Sequence, residues 1–178
     1  RDFVKNMFES QINNINLSYV EDRFAKILTK LYSKIIFQCT TSNYPRASYS
    51  FNIVLEEAHR YVRNDNDDEI IGYNIFDRIA KEGRKYGVLL ALISQRPVEL
   101  SDTVISQCSN FIIFKMSHPR DIEYITKMIP NITDDTIEKQ KALQVGHCLS
   151  FGSGFRIPII TRLDMPNPMP QSTSCDVV

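Results

Sequence analysis

Apolar residues recur at helical spacing in the first quarter of the chain. Between residues 24 and 36 they follow one another at intervals of three or four, the pattern of an amphipathic helix. The stripe consists of Phe24, Ile27, Leu28, Leu31, Tyr32, Ile35 and Ile36. Glu21 and Asp22 stand where helix-initiating carboxylates belong, so we predict a helix from there to about Cys39. We expect its apolar stripe to pack in a core.

Shorter apolar runs predict strands. They cover residues 15–20, 51–55, 88–93 and 111–115, and a terminal hairpin joins residues 148–151 to 157–161. The run at 88–93 is continuous rather than alternating, which is typical of a strand buried on both faces of a parallel sheet. The run at 51–55 is similarly rich in apolar and β-branched residues.

Helices alternate with these strands. They are predicted over residues 75–86, 98–107, 119–128 and 134–140. Such alternation predicts an α/β fold, with a mostly parallel sheet that is covered by helices on both faces. We expect one domain over residues 1–164. The proline-rich residues 165–178 cannot form a core and are expected to lie extended on a surface.

The composition fits a globular domain. The chain has 178 residues, of which 43% are hydrophobic and 24% charged, enough to bury a core. Basic and acidic residues number 21 each, so the zero net charge gives no sign of a basic surface for nucleic acid. No apolar run is long enough for a membrane span. The four scattered cysteines form no C-x-x-C pair, which disfavours zinc or a disulfide framework and fits reduced cytoplasmic thiols.

Polar residues that could carry chemistry follow two predicted strands. Glu56 and Glu57 end one strand, and Ser94 and Gln95 end the next. Ligands bind at this carboxyl edge in an open α/β sheet. A carboxylate pair and a glutamine suit phosphoryl transfer to water: one acid holds Mg²⁺, the other deprotonates the water, and the glutamine positions it at the γ-phosphate. Solvated strand ends would carry the same residues, so both interpretations are open at this point.

Two nearby features are also open to more than one interpretation. His59 either packs against the following helix or takes a direct part in the site. Residues 63–69 form an acidic, polar loop that is a candidate pore segment, but its acids would repel phosphates, which favours a solvated loop.

A set of ordered motifs resembles a known family. They are L-E-E-A-H-R-Y at 55–61, R-I-A-K-E-G-R-K-Y-G-V at 78–88, I-S-Q-R-P at 93–97, L-S-D-T-V-I-S-Q-C at 100–108 and H-P-R-D at 118–121. Together they resemble the carboxyl-terminal half of the ATPase domain of HerA proteins, in the HerA/FtsK superfamily of ring-forming DNA translocases. F-G-S-G-F-R-I-P at 151–158 and the proline-rich tail are also similar to that family. The resemblance covers roughly residues 15–170.

The resemblance implies a RecA-like P-loop NTPase core that uses ATP and Mg²⁺. Glu56 matches the first acid of the family's Walker B motif and is therefore the expected Mg²⁺ ligand. Glu57 matches the catalytic glutamate, and Gln95 matches the sensor glutamine.

The resemblance also points to residues outside the two strand ends. Arg84 lies in the segment that supplies an arginine finger to the neighbouring subunit, with Arg78 and Lys85 as alternatives. A cation at a helix end, favoured by the helix dipole, would look the same in the sequence. Ser153 and Gly154 match a region that approaches the nucleotide.

The motif G-x-x-x-x-G-K-[ST] does not occur in the sequence. In the family this P-loop lies upstream of the region that residues 15–20 resemble. We therefore expect the chain to be a carboxyl-terminal piece of a longer ATPase, with an active site that is incomplete in this sequence.

The family suggests several whole-protein functions. The first is an ATP-hydrolysing ring, expected to be hexameric, that translocates or unwinds double-stranded DNA in the cytoplasm with a partner nuclease or effector. A variant of this expectation is an antiviral defence complex with a nuclease or an NAD-consuming effector. The second is a hexameric nucleotide-binding platform that activates such an effector, with regulatory hydrolysis. A conjugation-type pump is a third.

Overall fold

The computed structural model describes residues 11–63, 74–128 and 133–170, which fall into two compact units divided after Cys108. The first unit contains the helices α1 (Asp22–Thr41), α2 (Ile75–Glu82) and α3 (Asp102–Ser106) and the strands β1 (Phe51–Leu55) and β2 (Val88–Leu92). The second contains the strands β3 (Asn110–Ile113), β4 (His147–Gly152) and β5 (Ile159–Arg162) and the helices α4 (Pro119–Thr126) and α5 (Asp134–Lys141).

Helix α1 begins where the acids predicted it. Glu21 is its N-cap residue and Asp22 lies in its first turn. The buried face differs from the predicted one, because it consists mainly of small or polar residues. These are Ala25, Thr29, Lys30, Ser33, Phe37 and Thr40. The small side chains on this face let α1 approach α2 closely. Two residues of the predicted apolar stripe are exposed instead: Phe24 to 60% and Leu31 to 44%. The expectation that the whole apolar stripe lies in a core is therefore wrong for these two residues.

Strands β1 and β2 form the predicted parallel pair. Their register runs from Phe51 opposite Val88 to Leu55 opposite Leu92. Parallel strands need a long crossover, and α2 lies within it. One face of the pair is partly or fully buried, while Val54 and Leu89 on the other face are more than half exposed. The prediction that residues 88–93 are buried on both faces is wrong within the described part of the chain.

The strand predicted over residues 15–20 is absent, and these residues form a turn. The side-chain Oδ1 of Asn16 accepts a hydrogen bond from the backbone N–H of Ser18, and the N–H of Val20 donates to the carbonyl of Leu17. Asparagine side chains compete with strand hydrogen bonding in this way. The alternating pattern of residues 15–20 was too short to outweigh the local turn.

The second unit is an antiparallel three-stranded sheet in the order β3–β4–β5. Its core contains Ile113, Ile125, Leu149 and Phe151. The β4–β5 hairpin was predicted, and β3 pairs antiparallel with β4 although a parallel sheet was expected there. Parallel pairing is therefore confined, among the described strands, to β1 and β2. The α/β class itself is confirmed.

Two further segments, the proline-rich tail and the acidic loop, were predicted to contain no helix or strand. Residues 165–170 of the proline-rich tail are exposed and form no helix or strand. Residues 171–178, and 64–69 of the candidate pore loop, lie outside the described residues. In the described part of the chain, no helix has both the length and the apolar character that crossing a membrane requires.

Gly87 lies in the turn before β2, where the backbone passes close to Tyr49. Substitution of Gly87 tests whether this position needs a residue without a side chain. Its φ is +75°, and a Cβ atom there would lie 2.4 Å from the carbonyl oxygen of Tyr49. We predict that Gly87→Ala lowers the free energy of unfolding by about 2–4 kcal/mol, the sum of left-handed strain and a backbone clash. Chemical denaturation measures this change.

Gly146 supplies the matched control. Its φ is +77°, but a Cβ atom there would meet no atom of the described residues within 4 Å. Gly146→Ala should therefore lower the free energy of unfolding by only roughly 1 kcal/mol, the cost of a left-handed backbone conformation for alanine. Equal losses in the two variants would contradict the predicted contact with Tyr49.

Candidate functional site

The backbone ties the two strand ends together beyond the sheet itself. The N–H of Ile93 donates to the carbonyl of Leu55 over 2.9 Å, and the N–H of Ala58 donates to the carbonyl of Ile93 over 2.9 Å. These bonds hold the residues after β1 beside those after β2. Glu57 and Gln95 consequently share one edge of the sheet.

Glu57 has a left-handed backbone conformation, with φ 48° and ψ 45°. This conformation costs a non-glycine residue about 1 kcal/mol or more and persists only when its surroundings fix it. Glu57 is the N-cap of a 3₁₀ turn over Ala58–Arg60, and the Ala58 side chain is fully buried. The turn and this buried anchor keep residue 57 in its strained conformation.

Both oxygens of the Glu57 carboxylate have a polar side chain beside them. The Gln95 side-chain Nε2 donates to Oε1 over 3.0 Å, and the His59 ring Nδ1 lies 3.3 Å from Oε2. His59 Nδ1 is also 3.1 Å from the Ser94 hydroxyl. The structure thus brings together Glu57 and Gln95, as the sequence predicted, and adds His59 and Ser94 to the cluster.

Glu56 differs from its neighbour in being exposed, and no side-chain contact is recorded for it among the described residues. Mg²⁺ prefers oxygen ligands, and it is usually held by one or two carboxylates together with waters and substrate phosphates. An open carboxylate at a strand end fits that kind of site. The described residues contain no cluster of three or more His, Cys, Asp or Glu side chains that would form a self-contained metal cage.

A second set of contacts, centred on Glu99, joins the backbone segments that carry the cluster. Arg63 Nε donates to the carbonyl of His59 over 2.6 Å, and the Arg63 guanidinium pairs with Glu99. Arg96 Nη1 also binds Glu99, over 2.8 Å, and its backbone N–H donates to the Ser94 hydroxyl. Glu99 therefore connects the segment after β1 with the segment after β2.

Sequence reasoning missed the role of Glu99. The three-residue spacing of Arg96 and Glu99 could have suggested their ion pair. Nothing in the sequence indicates the pairing of Glu99 with Arg63, since the two residues are 36 positions apart. The hydrogen bond from Arg96, and then the charge of Arg63, hold the pKa of Glu99 below its ordinary value.

The candidate arginine finger lies in the 3₁₀ turn over Gly83–Tyr86. Arg84 and Lys85 are exposed there, and neither has a recorded side-chain contact among the described residues. Arg78, in contrast, pairs with Glu82 over 3.6 Å and lies 5.3 Å above the Phe37 ring. Arg84 thus lies apart from the Glu57 cluster and remains accessible, while Arg78 is engaged within the first unit.

Ser153 and Gly154 lie in the second unit, in the turn that follows β4. The N–H of Ser153 donates to the carbonyl of Ser109 over 2.8 Å, and that of Gly154 donates to Oδ1 of Asn110 over 2.7 Å. Both backbone donors are therefore used within the unit. The predicted approach of this turn to a nucleotide stays a prediction.

Known proteins align with most of this chain. The DNA double-strand break repair helicase HerA of Sulfurisphaera tokodaii is 33% identical over 167 residues, which are 92% of this chain and 33% of that protein. The HerA helicase of Pyrococcus furiosus is 30% identical over 142 residues, or 80% of this chain and 24% of that protein. The chain belongs to the HerA-like family. It spans about a third or less of the length of these curated relatives. No family model matches the chain.

Solved structures show the same fold at lower identity. VirB4 of Thermoanaerobacter pseudethanolicus matches this HerA-like chain with a TM-score of 0.63 at 16% identity, over 85% of this chain and 40% of that one. The genome packaging NTPase B204 of Sulfolobus turreted icosahedral virus 2, in complex with ATP-gammaS, matches with a TM-score of 0.61 at 21% identity, over 90% and 71%. The predicted RecA-like P-loop NTPase fold is thereby confirmed.

The Glu99 contacts predict an acid-dependent loss of stability. Because its pKa is lowered in the folded state, Glu99 stabilises the protein above its ordinary pKa of about 4.5, and this contribution disappears as the pH falls through the folded value. We predict that Glu99→Gln lowers the melting temperature at pH 7 and that the difference from wild type closes in acid. Melting curves between pH 7 and pH 3 (roughly the range of this titration) measure it.

Glu138 provides the control for that measurement. It is exposed on α5, and no side-chain contact is recorded for it among the described residues. Glu138→Gln should leave the melting temperature at pH 7 close to that of wild type. If it lowered stability as much as Glu99→Gln, the loss could not be assigned to the two arginines.

Proposed function

We propose that this chain supplies the water-activating part of an ATP-hydrolysing site. The observation that carries the proposal is the hydrogen bond from Gln95 to Glu57 at the carboxyl edge of two parallel strands. Ligands of open α/β folds bind at this edge. A carboxylate beside an amide donor is what hydrolysis of a phosphoanhydride requires, because one group takes a proton from water and the other recognises the phosphate.

Each residue of the cluster has a separate task in this proposal. Glu57 orients the attacking water and accepts its proton. Gln95 can exchange its hydrogen bond with Glu57 for one to a γ-phosphate oxygen, so the amide reports whether ATP is present. Glu56 would hold Mg²⁺, which neutralises the developing phosphate charge when bound. The chemistry depends mainly on positioning, and the rigid strand ends provide it.

The phosphate cradle of this site is proposed to come from another part of the protein. The sequence contains no G-x-x-x-x-G-K-[ST] motif, whose backbone amides and lysine would bind the β- and γ-phosphates. Domain 1–164 would then be the carboxyl-terminal portion of a RecA-like ATPase domain. ATP affinity should accordingly depend on residues beyond this sequence.

The whole protein is proposed to be a ring-forming motor that acts on double-stranded DNA. Relatives named as DNA double-strand break repair helicases support this proposal, and so does the exposed Arg84, which could reach a neighbouring subunit. A hexameric ring would place that arginine at each junction. A partner nuclease or an antiviral effector is part of the proposal, as is a cytoplasmic location.

Glu57→Gln tests the proposed base. In the full-length protein, ATP binding should be retained, while hydrolysis should fall by at least about 10²-fold, the typical contribution of a general base. Nucleotide binding and phosphate release measure the two properties separately. Hydrolysis at the wild-type rate would remove Glu57 from the mechanism. If the complex kept its biological activity after hydrolysis was lost, the platform function would replace the motor.

Arg84→Ala tests action between subunits. We predict a loss of hydrolysis of about 10³-fold, as expected when an arginine finger is removed, with binding retained. Mixed rings of Arg84→Ala and Glu57→Gln subunits should regain activity at junctions that combine an intact Arg84 with an intact Glu57. Lys85→Ala, the neighbouring exposed cation, is the matched control and should hydrolyse ATP normally. Full activity of Arg84→Ala would show that Arg84 is outside the site.

A further inference from the structure

His59 lies between the proposed base and the segment that carries the sensor glutamine. Its Nδ1 is 3.3 Å from Oε2 of Glu57 and 3.1 Å from the hydroxyl of Ser94. The side chain is only 14% exposed, so its ring has little freedom to leave these two partners. Neither the proposed hydrolysis step nor the family resemblance gives this histidine a task.

A single ring nitrogen can carry only one hydrogen, and this limits what the contact can be. An ionised carboxylate accepts hydrogen bonds and donates none, so Nδ1 must carry its hydrogen when it bonds Glu57. Ser94 can act as donor or acceptor, and its oxygen already accepts from the backbone N–H of Arg96. A carboxylate oxygen 3.3 Å from Nδ1 therefore favours the Nδ1–H form of the ring, and the Ser94 hydroxyl 3.1 Å away steadies that ring.

The two oxygens of Glu57 have different polar neighbours. Gln95 donates a hydrogen bond to Oε1, and the His59 ring Nδ1 lies 3.3 Å from Oε2. In the proposed mechanism Gln95 turns from Oε1 to the γ-phosphate when ATP is bound. After that exchange, His59 is the described side chain that stays beside the carboxylate.

We propose that His59 is a positioning residue, which keeps the Glu57 carboxylate aligned on the attacking water while Gln95 is engaged with the nucleotide. The proposal rests on the function proposed above. His59 acts through Glu57 and does not itself touch the substrate. Its backbone is fixed independently, because Arg63 Nε donates to the His59 carbonyl over 2.6 Å. Replacing the side chain should for that reason leave the local fold in place.

The test compares two substitutions in the full-length protein. His59→Ala removes the donor and should lower kcat for ATP hydrolysis by about 100-fold, the cost of misaligning a reacting group, with KM unchanged. His59→Asn keeps an amide nitrogen near the position of Nδ1 and should recover at least about tenfold of that loss. His147→Ala is the matched control, since the one hydrogen bond recorded for the His147 ring among the described residues is with the carbonyl of Val145.

The outcomes separate this inference from the proposed function. A wild-type kcat for His59→Ala, or equal losses for the alanine and asparagine variants, would overturn the role of His59 while Glu57→Gln still abolished hydrolysis. Equal hydrolysis by wild type and Glu57→Gln would instead overturn the proposed function and this inference with it. Combining His59→Ala with Glu57→Gln should cause no loss beyond that of Glu57→Gln alone, because the histidine acts through that carboxylate.

If His59→Ala failed to fold, Ser94→Ala would carry the test. It leaves the ring donor in place but removes the hydroxyl that steadies it, so kcat should fall by less than in His59→Ala and KM should again stay constant. An unchanged kcat in Ser94→Ala would overturn the positioning role of the pair.

Discussion

The parallel pairing of β1 with β2 is the constraint on which the candidate site depends. Its register ends at Leu55 opposite Leu92, and two further backbone hydrogen bonds extend the alignment to Ala58 and Ile93. Residues separated by about 38 positions in sequence, Glu57 and Gln95, meet only because of this alignment. A shift of one residue would reverse the face on which each side chain of the strand lies, and it would part the acid from the amide.

Several apolar surfaces of the first unit have no cover among the described residues. Val54 and Leu89 on one face of the sheet, together with Phe24 and Leu31 on α1, are between 44% and 60% exposed. Exposed apolar patches of this kind commonly mark surfaces that bind other protein segments. Their exposure is the reason that the continuous apolar sequence predicted more burial than strand β2 shows.

Local signals in the sequence predicted the elements well, and non-local contacts were harder to foresee. The strand at 51–55 and the start of α1 at Asp22 were placed correctly because apolar spacing and helix-initiating acids act over a few residues. The turn at Asn16 was missed, since a single side-chain hydrogen bond outweighed a weak alternating pattern. In the site, shared strand ends predicted that Glu57 and Gln95 would meet. The contacts of His59 and Glu99 depend on side-chain directions in turns, which no spacing rule specifies.

The left-handed backbone at Glu57 has a consequence for its neighbour. In an extended strand, successive side chains point to opposite faces, so adjacent acids would be equivalent groups on either side of one sheet. The change of backbone conformation at residue 57 breaks that equivalence. Glu56 stays open to solvent, whereas Glu57 is bound by an amide and lies against an imidazole. One reversal of φ thus gives two identical residues, joined by a single peptide bond, different surroundings, as the proposed division of metal binding and proton transfer requires.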